Sequence, residues 1–171
     1  MPVIMGAKQE KDFIIMNNKA VFLLILSLGW MLCSCEDDSE GNNIAFFPEV
    51  QVNTSVNILF PQFSSLNLIQ GYVYLPEGYR GIVLYRTITD EFVAFDRTCP
   101  FNTNNTCAYI TVDSNGFYYR CGQYSPSWTP CCDSRFDVNT GTVVSGSARR
   151  GLKQYFTRRD NNIIYISNTP F

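Results

Sequence analysis

Five cysteines fall within a stretch of 34 residues: Cys99, Cys107, Cys121, Cys131 and Cys132. Thiolates bind soft metals, hold iron–sulfur clusters and exchange disulfides. The chain of 171 residues contains no histidine. Ser-His and Cys-His nucleophile arrangements are therefore excluded. An all-cysteine site stays open, and its ligand set would be Cys99, Cys107 and Cys121 with Cys131 or Cys132. Four such thiolates suffice for a [2Fe-2S] cluster, or for a zinc ion. Spacing opposes this, because no two cysteines sit two residues apart to chelate from one loop. Cys131 and Cys132 are adjacent in sequence, and neighbours of that kind rarely ligate one metal together. A vicinal dithiol switch is a third chemistry. Arg135 would favour a thiolate there and Asp133 would oppose it. The odd count leaves at least one thiol unpaired or linked to another molecule.

The other polar residues have plainer readings. Asp96, Asp113, Asp133 and Asp137 lie near turns, where aspartate bonds to backbone amides. Arg149, Arg150, Arg158 and Arg159 read as solvated loop charges. Phe101, Tyr124 and Trp128 flank the cysteine segments, and loop packing accounts for them. No catalytic residue is assigned, and a non-enzymatic role is expected.

The elements that must position the cysteines are strands. Residues 81–86 and 92–96 are rich in β-branched and aromatic side chains and flank a Thr89-Asp90-Glu91 turn, which predicts a hairpin. Residues 108–112 and 117–121 flank Asn115-Gly116, a strong hairpin signal. Residues 135–137 and 142–144 predict a short hairpin, and 152–157 with 163–167 the last pair, joined by a loop over 158–162. Residues 71–75 form a further strand. Residues 44–61 predict one or two strands, ended by Pro61, and Leu66, Leu68 and Ile69 are expected to pack a short turn onto the sheet. The cysteines then sit mostly in two loop segments, 99–107 and 129–137. No long segment has the 3.6-residue apolar period of a helix. Short strands at regular spacing predict an all-β antiparallel sandwich or small barrel.

The start of the chain reads as a targeting segment. Lys19 precedes an apolar run over 20–32, short for a membrane-spanning helix. The run ends in Leu32-Cys33-Ser34-Cys35, which resembles a bacterial lipobox with Cys35 as the lipidated residue. Met16 is the more natural start. Residues 1–35 are thus expected to be a lipoprotein signal, 36–43 an acidic solvated tether, and 44–171 the folded domain. Acids beside a lipidated cysteine also resemble an export signal to the outer face of the outer membrane, while a plain spacer is equally consistent. Net charge is −2, and beyond residue 41 ten Lys/Arg stand against nine Asp/Glu. That balance points away from nucleic acid. An exported domain lives where disulfides persist.

A second pattern overlies the cysteines. Ala94-Phe95-Asp96-Arg97 leads into Cys99. Pro130, Ser134, Phe136, Asp137, Thr140, Gly141, Gly146 and Ala148 follow at fixed offsets, then Leu152 and Tyr155. This layout resembles the Rieske [2Fe-2S] domain across residues 81–168. The resemblance implies a small cysteine-loop subdomain at one end of the β fold. It also implies where ligands should be, two cysteines on one iron and two histidines on the other. Those positions fall on Cys99, Phe101, Thr129 and Cys132, so only one of four matches and a standard cluster is excluded. In one branch of the family a disulfide joins the two loops, at positions matching Cys107 and Cys131. Long polar loops bury little apolar area, and a cross-link compensates. Cys99 and Cys132 then occupy diagonal ligand positions and could form a second disulfide. Cys121 is left over, free or paired in their stead.

The expectation is a lipid-anchored cell-envelope protein whose Rieske-like domain has lost its standard cluster and acts as a disulfide-stabilised binding or structural module, with no cofactor. Its partners would be the membrane, through the anchor, and an envelope protein or ligand. Its place would be the outer membrane, facing periplasm or cell surface. The alternatives are electron transfer through a [2Fe-2S] cluster on Cys99, Cys107, Cys121 and Cys132, and a thiol–disulfide redox protein.

Overall fold

The computed structural model describes residues 47–124 and 127–171. The apolar run over 20–32, Cys35 and the tether over 36–43 lie outside the described residues. Asn43–Phe171 make one compact unit. It is all-β, with ten strands: β1 (Asn53–Asn57), β2 (Tyr72–Leu75), β3 (Ile82–Arg86), β4 (Phe92–Asp96), β5 (Ile110–Val112), β6 (Tyr118–Tyr124), β7 (Trp128–Asp137), β8 (Val143–Ser145), β9 (Gln154–Asp160) and β10 (Ile163–Ser167). Among the described residues no helix is long and apolar enough to cross a membrane.

The strands form two antiparallel sheets. One has six strands in the order β1-β10-β9-β4-β3-β2, the other four in the order β5-β6-β7-β8. β3 explains why they stack. Its side chains alternate between faces, and both faces are apolar. Val83 and Tyr85 join Phe95 of β4 against Ile110, Val112, Tyr119 and Phe136 of the small sheet. Ile82 and Leu84 point the other way and pack with Val56, Ile164, Ile166 and Leu66. The six-stranded sheet must curl to bring β1 and β10 onto the same core as β3. Phe95 meets Tyr119 edge-on at 5.8 Å between ring centroids, a contact of roughly 0.5–1.5 kcal/mol beyond burial.

Four local expectations are corrected. Pro61 begins a 3-10 helix, Pro61–Asn67, rather than only ending a strand; its fixed φ and missing amide suit a first helical position. Leu66 is buried as expected, whereas Leu68 and Ile69 are exposed, because the chain leaves the helix there and only one face reaches the core. The loop over 158–162 shrinks, since β9 runs on through Arg158 and Arg159 to Asp160 and pairs with β10. The segment 129–137 is not a free loop but most of β7.

Asp96 fixes the exit of β4, three residues before Cys99. It is fully buried and accepts from the Tyr79 amide at 2.8 Å, the Thr98 amide at 2.9 Å, the Thr98 hydroxyl at 2.5 Å and the Tyr155 hydroxyl at 2.8 Å. A buried carboxylate with this many donors is satisfied, and the donors come from the turn before β3, the exit of β4 and β9.

Candidate functional site

The site is built where two irregular segments leave their ladders. The first follows β4. The Thr98–Tyr109 bridge closes its base, and the Cys99 amide donates to Ala108 O at 2.9 Å. Arg80 holds its far side, with Nη1 donating to Thr106 O and Nη2 to Thr103 O, each at 2.9 Å. The loop between is polar and short of apolar cover, so these bonds and the disulfide substitute for a core.

The second segment lies inside β7. Tyr118–Arg120 of β6 pair with Arg135–Asp137, and Gly122–Tyr124 pair with Trp128–Pro130. Between those two stretches one residue of β6, Cys121, faces four residues of β7, numbers 131 to 134. Irregularities of this kind re-aim side chains. Pro130 has no amide hydrogen to give a ladder, and it sits beyond the reach of β8, which pairs only with Arg135 and Phe136. The excursion therefore begins directly after a residue that weakens pairing. It carries Cys131 to one loop contact and Cys132 to another.

Cys131 is bonded to Cys107, with Cα atoms 5.4 Å apart. This is the pair that the family resemblance implies. Cys99, Cys121 and Cys132 remain as thiols. The expected second disulfide between Cys99 and Cys132 is not formed: the sulfurs lie 3.6 Å apart, well beyond bonding distance. Cys107 cannot join Cys99, Cys121 and Cys132 as a fourth ligand, because its sulfur is already spent on Cys131. Of the four alternative ligands, the structure brings Cys99, Cys121 and Cys132 together. Cys131 and Cys132 are not bonded to each other; Cys131 is in the disulfide with Cys107 and Cys132 is a free thiol.

Those three thiols converge from three elements, and their sulfurs all lie within 4.8 Å of one another. Cys99 comes from the loop after β4, Cys121 from the irregular point of β6 and Cys132 from the excursion in β7. Cys99 and Cys121 are buried and Cys132 is half-buried. The Cys132 thiol donates to Ser134 Oγ at 3.3 Å. The neighbouring Cys121 thiol lowers the pKa of Cys99, with help from a backbone amide and Cys132 and against the cost of burial. The same coupling to Cys99, together with burial, pushes Cys121 far up. Burial raises Cys132.

Residues matching the Rieske frame support this geometry without being ligands. Ser134 is buried, and its Oγ accepts from the Ala148 amide at 3.0 Å. Asp133 Oδ1 accepts from the amide and hydroxyl of Ser147, each at 2.8 Å, and the hydroxyl bond is the main cause of its lowered pKa. Gly146 has φ +95°, and a Cβ there would lie 2.5 Å from Asp133 O and Ser134 Cα. Only glycine lets that loop lie flat on the excursion. Asp137 caps the following turn, accepting from the amides of Asn139 and Thr140 at 2.9 Å.

The remaining family ligand positions do not fit a cluster. Phe101 and Thr129 are exposed, and neither side chain binds iron. Tyr124 and Trp128 pack on each other at the end of the β6–β7 hairpin, with centroids 5.0 Å apart. Arg149 and Arg150 are exposed, while Arg158 lies over the Tyr165 ring at 5.1 Å and Arg159 reaches Asp90 at 3.4 Å. Cys121 is among the alternative ligands that the sequence offered, but the break in strand pairing that turns it into the site was missed. Gly122 directly after it is the available signal, because a glycine inside a strand marks irregular pairing.

A separate open cleft of about 630 Å³ is lined by Tyr72, Tyr74, Arg97, Val112, Gln123 and Tyr124, among others. The Arg97 guanidinium stacks 3.8 Å from the centre of the Tyr74 ring.

No protein-family model and no curated protein matches the chain. Solved structures similar to it include the plasma membrane Rieske protein of Synechocystis PCC 6803, at 23% identity over 70% of this chain and 99% of that one, TM-score 0.45. Another is the ferredoxin of carbazole 1,9a-dioxygenase from Nocardioides aromaticivorans IC177, at 13% identity over 71% and 100%, TM-score 0.43. These are distant likenesses of fold. What the cysteine site can hold is decided by this chain's own residues.

Proposed function

We propose that this chain is a lipid-anchored cell-envelope protein whose Rieske-like domain works without the two-histidine, two-cysteine cluster, as a disulfide-stabilised binding and structural module. The observation that carries this is the Cys107–Cys131 bond. A [2Fe-2S] cluster needs four protein ligands. With two of the five cysteines between residues 99 and 132 in a disulfide and no histidine in the chain, three thiols remain there. Electron transfer through an all-cysteine cluster would require that bond to be broken in a compartment that maintains it. The lipobox-like Leu32-Cys33-Ser34-Cys35 and the acidic residues after it support anchoring and export. The aromatic cleft beside Arg97 supports a binding role, since clefts with a few polar groups among rings are where ligands dock.

The test is cell fractionation of the native chain with iron and acid-labile sulfide analysis. The proposal expects the chain in the membrane fraction, a lipid-modified Cys35, and neither iron nor sulfide. Two irons and two sulfides per chain would establish the cluster protein instead. A soluble, unlipidated chain would remove the anchor.

A further inference from the structure

We propose that Cys99, Cys121 and Cys132 bind one thiophilic metal ion, of the Zn(II) or Cu(I) class, as a three-thiolate centre at the junction of the two sheets. This rests on the reading above that the iron–sulfur cluster is absent, and it specifies what the domain binds. Only two of the three residues lie at Rieske ligand positions; Cys121 lies at none.

Distance is the first support. With metal–sulfur bonds of about 2.3 Å, tetrahedral angles place thiolate sulfurs about 3.8 Å apart and trigonal angles about 4.0 Å. The Cys99 and Cys132 sulfurs lie 3.6 Å apart, and all three lie within 4.8 Å. A disulfide requires about 2.05 Å. The cysteines therefore already stand at ligand spacing rather than bonding spacing. The second support is convergence. Three elements with no common local geometry aim a sulfur at one point, and the irregular ladder around Cys121 exists where it does so. The third is the count. Oxidation of this trio consumes two thiols and leaves the third buried and alone, whereas one metal ion uses all three.

Metal identity follows from softness and charge. Thiolates select Zn(II) and Cu(I) over hard cations. On binding, three S–H bonds break, three metal–sulfur bonds form and three protons leave to solvent. A divalent ion then leaves one net negative charge and a monovalent ion two. Ser134 meets part of that charge. In the thiol form its Oγ accepts from Cys132; once Cys132 is a thiolate, the same hydroxyl turns and donates to it. The Ala148 amide holds Ser134 in place for either role. Outer contacts of this kind tune affinity by about 10–100-fold.

The experiment uses the full chain, exported, extracted from membranes in detergent, and stripped of metal by chelation. It is titrated separately with Zn(II), with Cu(I) under anaerobic conditions, and with Co(II) as an optical stand-in. One ion per chain is expected, with sulfur-to-cobalt charge-transfer absorption, release of about three protons per Zn(II), and protection of three thiols from alkylation. Cys99→Ser, Cys121→Ser and Cys132→Ser should each lose at least about 100-fold in affinity. Ser134→Ala, which keeps every ligand, should lose about 10–100-fold, so the claim stays testable if a cysteine variant fails to fold. An exported chain with two disulfides and no metal uptake would overturn the proposal, as would three alkylatable thiols that bind none of the ions. Iron with sulfide in the untreated chain would instead overturn the cluster-free reading beneath it, and the two failures are separable by sulfide analysis alone.

Discussion

Replacing both Cys107 and Cys131 by serine removes the one cross-link between the loop after β4 and the excursion in β7. The bond spans 24 residues of sequence. Loop-closure entropy for that span is about −11.6 cal/mol/K, or roughly 3.4 kcal/mol at 25 °C, lost from the unfolded ensemble when the bond is present. Little else offsets its removal, because the loop beyond Cys99 is held by the two Arg80 bonds and exposes most of its side chains. For a domain of this size, 1 kcal/mol moves the melting midpoint by roughly 3–5 °C. The double variant should therefore melt about 10–17 °C lower, by far-UV circular dichroism at matched pH. Single variants are unsuitable, since each frees a thiol beside Cys132. Intact mass before the scan must show the parent lighter than its reduced form by two hydrogens. A parent carrying the bond and a variant melting within about 2 °C of it would refute the entropic argument. It would mean that the unfolded chain already holds these loops together.

Four further outcomes follow from particular contacts. Asp96→Ala orphans donors from Tyr79, Thr98 and Tyr155, each costing about 1–3 kcal/mol, so a loss of at least about 3 kcal/mol is expected in urea denaturation; a loss below about 1 kcal/mol would show that water replaces the carboxylate. Burial raises the pKa of Tyr74, Tyr85, Tyr119 and Tyr155, with Asp96 adding to the effect at Tyr155. An unfolded tyrosine ionises near about 10 while these stay neutral, so stability is full below that pH and falls as pH rises through it; the urea midpoint should drop from pH 9 to 11, and Tyr155→Phe should flatten the drop. Gly122→Ala places a Cβ 2.3 Å from Thr129 O at φ +141°, and should cost about 1–3 kcal/mol while displacing Cys121; unchanged stability and metal uptake would argue against the geometry of the β6–β7 ladder. Cys35→Ser should move the chain from the membrane to the soluble fraction, and continued membrane retention would point to an uncleaved signal.

Most of the β fold was legible because its hairpins are local. Asn115-Gly116 between apolar runs, and Thr89-Asp90-Glu91 between two others, specify their turns within a few residues. β3 and β4 were equally plain, since a strand buried on both faces is apolar at nearly every position. β7 was not legible. Its 129–137 segment contains Pro130, Asp133 and Ser134, which locally favour turns, and only pairing with β6 draws its two ends into a ladder. The disulfide pair came from the family layout, because sequence alone leaves connectivity open. Cys121 stood among the alternative ligands, but the pairing break that turns it into the site came from neither source. Strand periodicity places a residue on a face but does not reveal that four residues opposite it have left the ladder.

The residues that match the Rieske-like pattern and the residues at its ligand positions do separate work in this fold. Asp96, Asp137, Gly146 and Ala148 match the Rieske pattern, and each bonds or packs within the protein. Asp96 ties Tyr79 to Tyr155, Asp137 caps a turn, Gly146 admits a close crossing, and the Ala148 amide fixes Ser134. None of these roles needs iron. Of the ligand positions, Cys99 and Cys132 meet at the site while Phe101 and Thr129 are exposed. Substituting Phe101 and Thr129 there leaves the frame's hydrogen bonds intact, since both side chains are exposed. What the site then holds is set by the sulfurs around it. Cys99 and Cys132 stand at positions that the Rieske resemblance implies for ligands, and Cys121 comes from the break in the β6–β7 ladder. If the three sulfurs take up one ion, as proposed, the further requirement on the sheet is that Cys121 face them across the break in the β6–β7 ladder.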